Sequence, residues 1–219
     1  MKYFVFSIDD GTIYDQIVAN IFDEFGIHAT FNLNSGLQNF VWYKNDRPVE
    51  RLNLTNYKDI YALHEVSSHS LSHFHLTECP DDVISREVNE DIYNLEEIFQ
   101  RKVTTFAFPF QDFDDRCINV IRQNPNITAI RVSELDRSFK MPVDQFHIKI
   151  TSWNIDEALG LVNNFIQDEN AELFVFVGHA YDFEFDSSYE KLIQLCQIVT
   201  SNNDIKCITM NELSQIIEN

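Results

Sequence analysis

Three short segments hold the residue types that metal-assisted hydrolysis requires: Asp9-Asp10-Gly11, His69-Ser70-Leu71-Ser72-His73 and Gly178-His179. Two adjacent carboxylates at a strand end point in roughly opposite directions where strand geometry persists. One is then placed to bind a metal while the other faces a water. The same residues before a glycine also make a common turn. Asp9 asks for more than a turn, because a charge directly beside an apolar strand needs a partner. His69 and His73 stand four residues apart, on one helical face or converging in a tight loop, and imidazoles at that spacing suit zinc. The spacing also arises by chance, and His64 and His75 lie close enough to offer other pairings. Two histidines and one aspartate make a three-ligand site with a fourth position open for water, the arrangement of catalytic zinc. His179 closes an apolar run. A histidine there suits proton transfer near neutral pH, or is a buried, hydrogen-bonded or capping side chain.

The elements that must position these segments follow from periodicity. Residues 2–8 predict a buried strand ending at the acidic pair, and Ile13, Ile17, Ile21 and Phe25 a helix stopped by Gly26. Residues 28–33 predict a second strand, 35–58 a polar and aromatic loop with a short helix, and 63–67 a short strand. The clearest helix is 80–100, with Val83, Val88, Ile92, Leu95 and Phe99 as its apolar stripe. Strands are expected at 103–108, 127–133, 145–150, 172–178 and 205–209, and helices at 113–123, 155–168, 187–201 and the C-terminus. Strand–helix alternation predicts an α/β fold with a parallel sheet or barrel. Such folds carry their chemistry at the C-terminal strand ends. Asp9, Asp10, Pro109, Phe110 and His179 all fall there.

Length and composition narrow the function. The 219 residues suit one domain spanning 1–219, with 44% hydrophobic residues for its core. A formal charge of −19 repels phosphate backbones and anionic bilayers, which excludes nucleic-acid and membrane partners. A neutral or cationic small-molecule or oligosaccharide substrate is compatible with it. Cys79, Cys117, Cys196 and Cys207 show no zinc spacing and are expected to be reduced. The first residues lack the apolar run of a signal peptide, so a cytoplasmic location is expected.

Taken in order, these segments resemble the polysaccharide deacetylase family, the NodB-like carbohydrate esterases of family four. FSIDDG resembles the first family motif, TFDDG. HSLSH matches the second, H-S/T-x-x-H. FAFPF resembles the third, R-x-P-Y/F, and VGHAY the last. The resemblance runs from about Tyr3 to about Tyr181. It implies an irregular (β/α) barrel and one divalent metal, zinc or an alternative such as cobalt, on Asp10, His69 and His73. It further implies Asp9 as general base, His179 as general acid and the Phe110 backbone N–H at the oxyanion. The expected reaction is N-deacetylation of an acetylated amino sugar or oligosaccharide, releasing acetate. A non-sugar, cyclic amide and an inactive metal- or sugar-binding homologue are the alternatives.

Two departures bear on this expectation. The third motif's Arg is replaced by Ala107, and no clean Asp-Trp fourth motif is present, although Trp153 fills part of its place. Arg131, between Ile130 and Val132 on an apolar strand, is expected either to face the barrel and pair with Asp9 in place of the missing Arg or to lie on a strand edge. Trp42, with Phe40, Tyr43 and Tyr57, is placed either to line a sugar groove or to pack beneath its loop. Tyr181 and Asp182 are expected at the rim.

Overall fold

A computed structural model describes residues 1–218. The chain opens with β1 (Lys2–Asp9), α1 (Asp15–Glu24) and β2 (Thr30–Leu33). A hairpin of β3 (Val41–Lys44) and β4 (Arg47–Glu50) follows, then α2 (Leu54–Tyr57), β5 (Glu65–Ser68), α3 (Asp81–Phe99) and β6 (Thr105–Ala107). The second half runs α4 (Asp115–Ile121), β7 (Ala129–Leu135), β8 (Ile148–Ile150), α5 (Ile155–Gln167) and β9 (Leu173–His179). It ends with α6 (Ala180–Phe185), α7 (Tyr189–Thr200), β10 (Ile205–Cys207) and α8 (Met210–Ile217).

The strands form a parallel sheet in the order β10-β1-β2-β5-β6-β7-β8, and β9 also pairs with β1. The sheet curls until β8 meets β9 through the bridge Ser152–Phe176, giving a nearly closed, irregular barrel. Alternation decides what faces inward. On β1, Phe4, Phe6 and Ile8 join the core between barrel and helices, while Val5 joins the barrel interior. Ser7 and Asp9 share the face of Val5, and Asn32 of β2 donates from one amide nitrogen to both Ser7 Oγ and Asp9 Oδ1, each at 2.7 Å. Likewise Ile130 and Val132 of β7 pack outward and Ala129 inward, which sends Arg131 inside.

One end of the barrel is plugged and the other is left open. Met210 and Leu213 of α8 enter the interior cluster. The Met210 and Asn211 amides donate to Thr30 Oγ1 and Glu65 Oε2, near the starts of β2 and β5. Polar chemistry therefore collects at the opposite end, where the strands finish.

The segment 35–58, expected as a loop with a short helix, holds the short helix α2 and, beyond that expectation, the β3–β4 hairpin. Its turn, Asn45-Asp46, takes φ of 51° and 61°, the left-handed pair that a two-residue hairpin needs and that Asn and Asp tolerate. The strand expected at 103–108 shortens to Thr105–Ala107, and α6 forms directly after His179. All four cysteines are free thiols. Among the described residues no helix is long and apolar enough to cross a membrane.

Candidate active site

His69 leaves the end of β5, and residues 69–73 form a tight loop rather than a helix. Nδ1 of His69 lies 2.8 Å from the Ala107 carbonyl, so it carries the proton and leaves the Nε2 lone pair for the cavity. Burial pushes this imidazole down to about 3, which keeps it in the neutral form that ligates metals. His73 takes φ of 53° and donates its N–H to Ser70 Oγ at 3.0 Å. Its Nε2 lies 3.3 Å from Asp10 Oδ1. Asp10 departs from β1 at φ 88°. Burial opposes its ionisation, but the hydrogen bond with His73 and the charge of Arg51 hold its carboxyl well below the usual range. Donor atoms of Asp10, His69 and His73 all lie within 4.8 Å of one another. Two imidazoles, that of His69 neutral with its tautomer fixed, and one ionised carboxylate converge in a set that fits a zinc-like divalent ion.

Asp9 stands beside this trio, 5% exposed. Arg131 Nη2 contacts both its carboxylate oxygens, at 2.9 and 2.7 Å. Asn32 holds Oδ1 from the other side. His69 Nε2 is 3.9 Å from Oδ2. Ala107 and Arg131 are register partners on β6 and β7. The cation absent from position 107 is supplied from the next strand at the same level.

His179 is the register partner of Asp9 on β9. Its Nε2 points toward Asp10 Oδ2 at 4.0 Å, and its Nδ1 lies 3.1 Å from Asp182 Oδ2. Asp182 is in turn held by Lys44 of the hairpin at 2.5 Å. Burial works against a charged imidazole, but Asp182, Asp10 and Asp9 outweigh it and raise the pKa of His179. Near Trp153, Asn154 caps α5 and Asp156 pairs with Lys191, so neither side chain is turned to His179. The carboxylate beside His179 Nδ1 is that of Asp182.

The trio, Asp9 and His179 line one cavity of about 820 Å³. Phe110 lines it at φ 57°, with its ring stacked on His75 and its carbonyl accepting from Ser133 Oγ at 2.5 Å. Trp42 and Trp153 form apolar walls. Tyr181 is less of a rim residue than its position suggested: it is 6% exposed, and its hydroxyl donates to Asp10 Oδ2 at 3.1 Å. Trp42 packs edge-on against it, ring centroids 5.6 Å apart. Sequence reasoning missed Asn32, Asn34, Lys44 and Arg51. Asn32 had a signal, since Thr30 and Asn32 alternate with Phe31 and Leu33. Arg51 had none, because an Arg between Glu50 and Leu52 reads as an ordinary surface residue.

The polysaccharide deacetylase family model matches residues 1–127, more than half of the sequence. The chain belongs to the polysaccharide deacetylase family. Comparison with curated proteins gives no match. Among solved structures, this family member resembles a family 4 acetyl xylan esterase from Clostridium thermocellum in complex with a cobalt ion (14% identity, 98% of this chain and 91% of that one, TM-score 0.65). It also resembles a peptidoglycan deacetylase from Bacillus subtilis (14%, 99% and 92%, TM-score 0.63). A family pseudoenzyme from Bacillus anthracis is similar too (17%, 97% and 65%, TM-score 0.64). These likenesses establish the NodB-like barrel fold.

Proposed function

We propose that this polysaccharide deacetylase family member is a divalent-metal-dependent N-deacetylase acting on an acetylated amino sugar or a short oligosaccharide, with residues 1–219 as one catalytic domain. The observation that carries the proposal is the register pairing of Asp9 and His179, which sets a carboxylate and an imidazole beside the Asp10–His69–His73 trio, Asp9 Oδ2 3.9 Å from His69 Nε2 and His179 Nε2 4.0 Å from Asp10 Oδ2.

A divalent ion held by the trio, zinc or a substitute such as cobalt, supplies Lewis acidity that polarises the acetyl carbonyl and eases loss of a proton from water. Asp9 is the base. Arg131 and Asn32 fix its carboxylate, leaving it to accept the proton of the attacking water. Negative charge then develops on the former carbonyl oxygen, and the Phe110 backbone N–H donates to it. His179 is the acid. Asp182 orients its ring through Nδ1, so Nε2 delivers a proton to the nitrogen as the C–N bond breaks. Acetate and a free amine leave. Trp42 offers an apolar face for a sugar ring, and Tyr181 holds the ligand carboxylate.

Amide cleavage is favoured over ester cleavage by His179, because an amine leaves poorly without a proton whereas an alcohol is less demanding. The charge-balanced base and acid also argue against an inactive binding protein. Acetate release from N-acetylglucosamine oligomers and acetylated xylan, alongside ring opening of cyclic imides, tests the proposal. Release from the oligomers, abolished by a chelator and restored by zinc or cobalt, is expected. Turnover of the imides alone, or metal-bound protein releasing nothing, contradicts it.

A further inference from the structure

Three non-glycine residues in the loops that carry the trio lie in the left-handed region: Asp10 at 88°, Ser70 at 65° and His73 at 53°. Each conformation is strained for a residue with a Cβ and persists only where the surroundings enforce it. Glu87 of α3 holds the Leu71 and Ser72 amides and Ser70 Oγ holds that of His73, while the contacts that reach both loops come from two residues that have no place in the chemistry above, Arg51 and Asn34.

Arg51 follows β4 and belongs to a segment zipped onto the loop after Asp10. Ile13 N–H donates to the Glu50 carbonyl at 3.0 Å, and Leu52 N–H to the Gly11 carbonyl at 2.8 Å. The guanidinium, 5% exposed beneath the Trp42 ring, donates through Nη1 to the Asp10 carbonyl and to Asn34 Oδ1, and through Nη2 to Asp10 Oδ1 at 3.0 Å. Asn34, 3% exposed, passes the link on: its Nδ2 donates to the carbonyls of His69 and of Ser70, the latter at 2.7 Å. Two residues further, Gly36 donates to the Leu71 carbonyl at 3.1 Å, and a Cβ at Gly36 would lie 2.5 Å from that oxygen. The Asp10 loop and the His69–His73 loop are thus joined by one buried chain of polar contacts, independent of any ion.

We infer that Arg51 and Asn34 form a clamp that presets the metal site by locking both ligand loops in their strained shapes. The inference rests on the metal-binding role proposed for Asp10, His69 and His73. Partners outside the ligand set commonly change metal affinity by about 10- to 100-fold. Arg51 also repels a cation, so the informative variants keep the charge. Arg51→Lys retains it but cannot reach both loops, and Asn34→Ala leaves it untouched.

The test is zinc affinity measured by chelator competition without substrate, alongside hydrogen exchange of the metal-free protein. Wild type is expected to bind one equivalent and His69→Ala none. Arg51→Lys and Asn34→Ala are expected to bind at least about 10-fold more weakly. Faster exchange is expected at Ser70–His73 in the variants, with the β1 and β9 amides unchanged. Asn34→Ser replaces Asn34→Ala if the latter fails to fold by circular dichroism. Wild-type affinity in folded Arg51→Lys and Asn34 variants overturns the clamp and leaves the metal site standing. No stoichiometric binding by wild type overturns both.

Discussion

Nη2 of Arg131 stands 2.7 and 2.9 Å from the two oxygens of Asp9, inside a barrel where both side chains are nearly excluded from water. A buried carboxylate without such a partner is strongly disfavoured, so this pair is what permits a carboxylate beside the Asp10–His69–His73 trio. Arg131 occupies the register position opposite Ala107. The same cation is therefore delivered from β7 rather than β6.

Removing the cation has two expected consequences. Arg131→Met strands the Asp9 charge and lowers stability by about 3–5 kcal/mol. It also frees the proposed base from its fixed orientation, with a loss in turnover on the order of 100-fold. The register relation adds a sharper expectation: the double variant Ala107→Arg, Arg131→Ala recovers part of both losses relative to Arg131→Ala. Chemical denaturation and acetate release read the two quantities. An Arg131→Met protein with wild-type turnover removes Arg131 from the account.

The contact between His179 and Asp182 predicts an effect that depends on the leaving group. Aryl acetates expel a phenolate without help, whereas amides need a proton. Asp182→Asn should lower the ratio of N-acetyl to aryl-acetate turnover by about 10-fold or more. The sign of the pH effect follows from charge. The Asp182 carboxylate helps raise the pKa of His179, so losing it shrinks the protonated fraction at a given pH. The basic limb of the kcat profile then moves to lower pH. Equal loss on both substrates, with an unmoved limb, would assign Asp182 a purely structural role.

Much of this site is legible in the sequence, and the reasons differ by residue. Alternation along β1 and β7 sends Asp9 and Arg131 to the same interior, which is why their pairing follows from strand pattern and the cost of burying charge. The spacing of His69 and His73 marks them, although only the fold shows that a loop and not a helix brings them together. Lys44 of the hairpin and Arg51 just after it were hidden. Lys44 and Arg51 sit among alternating polar and aromatic residues that read as loop, and their partners Asp182 and Asn34 are distant in sequence. Asp182 was visible as a rim residue. Its contact with His179 depends on the turn into α6, which apolar periodicity does not mark.

Asp15 gives a stability test away from the chemistry. Burial pushes its carboxyl up to about 7, although Thr12 and Tyr61 donate hydrogen bonds to it. An unfolded Asp titrates near about 3.9. A raised folded pKa means the native chain binds the proton more tightly. That contribution is complete below about pH 4 and is lost as pH rises toward 7. Asp15→Asn is neutral throughout and escapes the loss. Its Tm relative to wild type should therefore rise between pH 4 and pH 8. A constant difference across that range contradicts the raised value.

The chemistry proposed for this barrel depends on a divalent ion held by Asp10, His69 and His73. A crystal structure of zinc-loaded protein, with anomalous scattering recorded at the zinc edge, tests it most directly. One strong peak is expected about 2.0–2.2 Å from Nε2 of His69, Nε2 of His73 and an Asp10 carboxylate oxygen. An absent peak at that position, or zinc held by other side chains, contradicts it.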